Sequence, residues 1–167
     1  MKLKHPNLAS KFCQVSWTVK DIDAAEKFFV ETMGVEKFMH MNLNARDTEG
    51  TYLGQPGDWV CNLYLAYAGD TQIELVQPVS GSSMFTESLE QHGNAVQHIA
   101  YTLDDADYDA AAEHLESSGY PLIQSFKLPI VRIGYFDTRA AIGVVTEIVG
   151  ANKDGYEFLR NIKLGNF

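Results

Sequence analysis

The sequence predicts an α+β fold built from two tandem βαβββ modules, with a mixed β-sheet rolled into an open barrel around a groove and helices outside. Three observations carry this prediction. The order strand, helix, three strands occurs twice along the chain. Gln14-Val-Ser-Trp-Thr-Val-Lys-Asp21 lays over His98-Ile-Ala-Tyr-Thr-Leu-Asp-Asp105 with apolar and polar positions in phase. Ile73-Glu-Leu-Val76 lays over Thr146-Glu-Ile-Val149, so a glutamate falls at the same place in the last strand of each half. Two copies at so long a period exclude a solenoid.

Each element has its own local reason. Phe12 to Val19 alternates and is rich in β-branched and aromatic residues, which predicts a strand. Asp21 is placed to cap the helix that follows over residues 24–33, and Gly34 to end it. Val35 to Met41 reads as a second strand, Asn42 to Asp58 as a long loop rich in Gly, Asn and Asp, Trp59 to Tyr67 as a third strand and Thr71 to Val76 as a fourth. Ser83 to Gln91 reads as a linking helix ended by Gly93. The order then recurs: a strand at Val96 to Leu103, an Ala-rich helix from Asp105 to Ser118 capped by its acid and ended by Gly119, and strands at Leu122 to Phe126, Ile130 to Phe136 and Gly143 to Val149. Tyr156 to Ile162 is expected to form a terminal helix. The organisation is therefore 1–81 for the first module with an N-terminal extension, 82–94 for the linker helix, 95–150 for the second module and 151–167 for a helical tail.

Composition narrows the function. The chain has 167 residues, 46% hydrophobic and 21% charged, with a formal net charge of −9, which suits a compact protein and disfavours nucleic acid, whose phosphates it would repel. No apolar run reaches the roughly 18 residues of a membrane span, and Met1-Lys-Leu-Lys-His-Pro6 has no apolar leader core, so a cytoplasmic location is expected. The two cysteines, Cys13 and Cys61, fit no zinc or disulfide spacing and read as free thiols. Lys127, Arg132 and Arg139 are candidates to gather around a small anion.

Strand alternation singles out four residues. Val15, Trp17 and Val19 share the face that suits the helix, leaving Gln14, Ser16 and Thr18 on the other. By the same parity Glu74, His98 and Glu147 point away from their helices, Glu147 between Val145 and Val149. Joined about a pseudo-twofold axis, the halves would bring Gln14, Glu74, His98 and Glu147 into one groove. Two buried carboxylates repel each other and are costly unpaired, and a divalent cation relieves both penalties. Oxygen and imidazole donors suit Zn, Ni, Co, Mn or Fe. Ser16, Thr18, Asn62, Tyr64, Ala100 and Thr102 are expected to line the groove, Trp59, Phe126, Ile130 and Tyr135 to shape it, and Arg132 and Arg139 to hold a substrate anion.

Phe12 to Gly150 resembles the vicinal oxygen chelate superfamily, which includes glyoxalase I, methylmalonyl-CoA epimerase, extradiol dioxygenases and drug-resistance binding proteins. The resemblance rests on Gln14-Val-Ser-Trp-Thr-Val-Lys-Asp-Ile-Asp23, Gln72-Ile-Glu-Leu-Val-Gln-Pro78, Gln97-His-Ile-Ala-Tyr101 and Gly143-Val-Val-Thr-Glu-Ile-Val149. It implies one divalent metal on Gln14, Glu74, His98 and Glu147, a set similar to that of eukaryotic-type glyoxalase I. The stretches Pro78 to Leu89, His92 to His98 and Phe136 to Arg139 look more like the epimerase branch. The implied activity is that of an isomerase, epimerase or lyase on a small carbonyl-containing substrate, with Glu147 as the base and Glu74 as a ligand that returns the proton. A groove that only sequesters a drug or metabolite is the competing reading, disfavoured by the three ionisable ligands. A non-haem iron dioxygenase is disfavoured because residue 14 is not histidine. A homodimer is the expected assembly, since small modules gain core by pairing.

Overall fold

The computed structural model describes residues 7–167. The start of the expected N-terminal extension, and with it the stretch read as lacking a leader core, lies outside the described residues. The repeat is written into the sheet. The first module contributes β1 (Phe12–Thr18), β2 (Met39–Asn44), β5 (Val60–Ala68) and β6 (Thr71–Ser80). The second contributes β7 (Ala95–Asp104), β8 (Leu122–Leu128), β9 (Val131–Phe136) and β10 (Val145–Ala151). The strands run in the order β2-β5-β6-β1-β7-β10-β9-β8, so each half is the other read backwards about the β1–β7 seam. β1 and β7 are antiparallel, and each has its module's last strand parallel on its far side.

The helices follow the sheet's two faces. α1 (Ile22–Lys27) continues into a π-helical turn over Phe28–Thr32. Asp21 caps it by accepting from the Ala24 N–H, and Gly34 ends it at a positive φ of 77°, where a Cβ would be strained. It covers Ile73, Leu75 and Ala66 on the convex face. α3 (Tyr108–Ser117) covers Leu103, Phe136 and Ile148 in the same way. The concave face holds a third cluster, into which α2 (Met84–His92) inserts Met84 and Phe85 and α5 (Lys153–Lys163) inserts Ile162. A short α4 (Arg139–Ile142) precedes β10.

Several elements differ from the expectation. β2 begins at Met39 rather than Val35, because the Val35 N–H is used by the Phe29 carbonyl at the end of the helix. The segment read as a loop contains two short strands, β3 (Thr51–Tyr52) and β4 (Gln55–Pro56), and β3 pairs with β8, so the first module covers the outer edge of the second. Asp105 does not cap α3. A 3-10 turn over Asp105–Asp107 delays the helix to Tyr108, and the Asp105 carboxylate is taken by Arg132 at 2.6 Å. Among the described residues no helix is long and apolar enough to cross a membrane.

Candidate metal centre

The central strands build the site through their register. Gln14 lies opposite Ala100, and Ser16 opposite His98. Glu74 is the neighbour of Ser16 on β6, and Glu147 the neighbour of Ala100 on β10. Cross-strand neighbours share a face, so the imidazole and the two carboxylates converge from three strands. His98 Nε2 lies 2.9 Å from Glu74 Oε2 and 3.2 Å from Glu147 Oε2. One donor atom from each of the three lies within 4.8 Å of the others. All three residues are deeply buried, with exposures of 3%, 0% and 2% for Glu74, His98 and Glu147.

Neighbouring side chains orient the donors. The amide oxygen Oε1 of Gln97 lies 2.7 Å from His98 Nδ1, a contact that turns Nε2 toward the carboxylates. Ser16 Oγ donates to Glu74 Oε2 at 2.6 Å. Gln14 Nε2 donates to Gln72 Oε1 at 2.7 Å, and Gln72 Nε2 donates to the Tyr67 hydroxyl at 3.3 Å. Gln14 Oε1 is then buried without a hydrogen-bond partner, and His98 Nε2 and Glu147 Oε2 have only the contacts among His98, Glu74 and Glu147. The donor atoms of Glu74, His98 and Glu147, held in one dry place, repel each other unless a cation stands among them. A proton relieves the same repulsion. Burial works against charge on His98, yet the Glu147 and Glu74 carboxylates outweigh it and raise its pKa to about 9. Burial pushes the Glu147 carboxyl up, with His98 opposing. Burial, followed by the charges of Glu147 and Glu74, drives the Tyr135 hydroxyl well above its usual value. The oxygen–nitrogen donor set and its unpartnered atoms fit a divalent transition ion.

The centre opens onto a narrow cavity of about 60 Å³, lined on its central strands by Gln14, Gln72, Glu74 and Glu147 and elsewhere by apolar side chains, among them Phe126. Thus the four expected ligands sit on one face, three within reach of one ion and Gln14 beside them on the cavity wall. The expected substrate contacts fare differently. Ser16 and Thr18 are on the correct face but fully buried, Ser16 serving Glu74. Ala100 is likewise fully buried. Thr102 is half-buried against the Cys13 thiol at 3.2 Å. Asn62 and Tyr64 point the other way. Leu65 is the partner of Glu74 and Leu63 that of Val76, so the odd residues of β5 face the cavity, while Tyr64 bonds Asp23 at 3.0 Å and Asn62 bonds Asn42 at 3.0 Å.

The cationic expectations are also corrected. Arg132 lies between the cavity residues Val131 and Ile133 and so projects outward, where it binds Asp105 and Asp109. Arg139 is held by Asp137 at 2.7 Å and faces Glu87, and Lys127 faces Glu49. The three do not gather, because each has a local carboxylate. Trp59 and Tyr135 are fully buried behind the site, Tyr135 beside Glu147 on the neighbouring strand, and Ile130 packs against the same cluster.

Sequence reasoning gave no site role to Gln97, Gln72 or Cys13. Gln97 directly precedes the key histidine, which was a usable signal. Gln72 shares Glu74's parity, also usable. Cys13 reaches the inner face only because a β-bulge interrupts the β1–β7 register between Phe12 and Gln14, and nothing in the alternation announces it.

Residues 13–132 match the family described as the Glyoxalase/Bleomycin resistance protein/Dioxygenase superfamily. No curated protein sequence is significantly similar to the chain. Among solved structures, the chain is similar to methylmalonyl-CoA epimerase from Mycobacterium tuberculosis, with TM-score 0.63, 22% identity, and coverage of 92% of this chain and 95% of that one. A hypothetical protein from Bacillus halodurans gives TM-score 0.63 at 16% identity, covering 86% and 95%. A variant of the Streptomyces coelicolor methylmalonyl-CoA epimerase, in complex with 2-nitronate-propionyl-CoA, gives 0.59 at 21% identity, covering 85% and 94%. At these identities the likeness is one of fold.

Proposed function

The chain belongs to the glyoxalase/bleomycin resistance protein/dioxygenase superfamily, and within it we propose that this protein is a metal-dependent isomerase, epimerase or lyase that moves a proton at the carbon beside a substrate carbonyl. The observation that carries the reading is the convergence of buried His98 Nε2 with Glu74 Oε2 and Glu147 Oε2, the donor atoms lying within 4.8 Å of one another. Glu74, His98 and Glu147, with Gln14 as the fourth donor, would hold one divalent ion. That ion would supply Lewis acidity, drawing electron density from a carbonyl oxygen and so acidifying the adjacent C–H.

The chain's own groups do the rest. Glu147 takes the proton. It lies beside the cavity, where the substrate carbon would stand. Glu74, fixed by Ser16, returns a proton to the same carbon or to its neighbour. Gln97 holds the His98 ring so that Nε2 stays available. The apolar walls, Phe126 among them, exclude water that would quench the carbanion-like species.

Elemental analysis of the purified protein, followed by proton exchange into 2-oxo thioesters and hemithioacetals in D2O, tests this. One equivalent of a divalent transition ion is expected, with exchange lowered roughly a hundredfold or more in Glu147→Gln. Protein that takes up no ion after supplementation would reject the metal centre. Ion without exchange in any substrate would make the groove a binding site.

A further inference from the structure

The cavity above the centre has a sharply divided lining. Its polar side chains, Gln14, Gln72, Glu74 and Glu147, all come from the central strands β1, β6 and β10. The remainder is aliphatic or aromatic, including Leu63, Phe126, Ile133, Val149, Phe158 and Leu159, and among the described residues no lysine or arginine lines it. Away from the donor set, a carboxylate or phosphate in this space would lose its hydration without gaining a cationic side chain. The cavity's volume, about 60 Å³, is several times the ~10–15 Å³ that a single water needs. A short hydrocarbon group fits it.

The upper wall is formed by α5. Its N-terminus is tied to the second module, where Asn152 Oδ1 caps the Gly155 N–H and Asn152 Nδ2 donates to the Pro129 carbonyl. Its far end meets the first module through Lys163 and Asp70 at 2.5 Å, and through buried Ile162. Phe158 and Leu159, half-buried between these two attachments, face the cavity.

We infer that the substrate is a small carbonyl compound whose substituent is an uncharged, short hydrocarbon chain, and that Phe158 and Leu159 set its length. This rests on reading the site as a metal-dependent proton-transfer centre. It goes beyond that reading because it names the substrate class from the lining of the cavity rather than from the donor set.

Alkyl hydroxamates test it, since they offer two vicinal oxygens to the ion and a chain of chosen length. Zinc-loaded protein is titrated calorimetrically with acetohydroxamate, butyrohydroxamate, octanohydroxamate and the monohydroxamate of succinic acid. Butyrohydroxamate is expected to bind roughly fifteenfold tighter than acetohydroxamate, about fourfold per buried methylene. The succinic compound, of similar length but carboxylate-ended, should bind more weakly than butyrohydroxamate, and so should octanohydroxamate. Phe158→Ala and Leu159→Ala should each shift the octano-to-butyro affinity ratio toward the longer chain, a ratio that a general loss of folding would leave alone. Failure of acetohydroxamate to bind would overturn the metal centre and this inference together. Binding of acetohydroxamate with no gain from the butyro chain, or a preference for the carboxylate-ended compound, would leave the centre standing and overturn the substrate class. Octanohydroxamate matching butyrohydroxamate in the wild type, or a ratio unmoved in both variants, would overturn the length limit.

Discussion

Gln97 and His98 are adjacent in sequence, yet their side chains meet: the amide oxygen of Gln97 lies 2.7 Å from His98 Nδ1. Adjacent residues of a flat strand point to opposite faces. The contact is possible because the β1–β7 register shifts between Ser16 and Trp17, beside this pair. One residue thus fixes the tautomer of its neighbour, a role usually given to a partner from a distant element.

Gln97→Leu removes that acceptor from a buried position. Divalent-ion affinity is expected to fall about 10- to 100-fold, the usual cost of losing a ligand's outer hydrogen bond. Gln97→Glu keeps the acceptor and should retain most of the affinity. Competition against a fluorescent chelator measures both, and unchanged affinity in the leucine variant would deny Gln97 its orienting role.

Alkaline stability follows from the inner face. Burial, and then the charge of Glu74, raises the Cys61 thiol from the ordinary 9.0 to about 12. The folded state therefore keeps its proton where the unfolded state has lost it. The unfolded chain binds fewer protons, so stability is full below pH 9.0 and declines until about 12. The slope is about 1.4 kcal/mol per pH unit for one such group. Urea unfolding across this range should show a slope shallower by one proton in Cys61→Ala than in the wild type. Equal slopes would mean that the thiol does not remain protonated in the fold.

How much of this was legible in the sequence depends on whether a feature is repeated. Glu74 and Glu147 could be paired by inspection because duplication placed both one residue into the same strand pattern, and the β1–β7 seam then brought the halves face to face. Gly34 and Asp21 act as local chemistry dictates. Asn62 and Tyr64 were assigned to the wrong face because parity in β5 is set by its register with β6, Leu65 opposite Glu74, and a strand amphipathic on both sides does not reveal it. Asp105 looked like a cap by analogy with Asp21, but Arg132 on a strand 27 residues away claims its carboxylate. The two-residue β3 is too short for periodicity and exists because the edge of β8 is open to it.

The arginines that looked like anion binders should be structural. Arg132 joins β9 to the turn before α3 through the Asp105 carboxylate and carbonyl, and to the first turn of α3 through Asp109, and stacks over Tyr108 at 4.5 Å. Arg132→Ala is expected to lower stability by about 1 kcal/mol, because the group is partly exposed. Butyrohydroxamate affinity should stay within about twofold, since the guanidinium lies on the outer face, and a 1.4 kcal/mol change would be needed for a factor of ten. A large loss of binding in a folded Arg132→Ala protein would return Arg132 to the site.

The seating of α5 rests on a glycine. A Cβ at Gly155 would collide with the carbonyl oxygen of Ile130 and press on Ala151 and Val131. Gly155→Ala should therefore lift the first turn of α5, at a cost of about 1–3 kcal/mol for a misfit in a packed contact. Alanine is the better helix former by about 1 kcal/mol, so the helix itself should persist while its docking weakens. Hydrogen exchange separates these outcomes. Amides of residues 153–163 should exchange faster in the variant, while those of β7 and β10, which carry His98 and Glu147, keep their protection. Far-UV circular dichroism should show helix content retained. Faster exchange throughout the sheet would mean that α5 supports the whole barrel rather than roofing one cavity, and unchanged exchange in α5 would show that the contact at Ile130 yields without moving the helix.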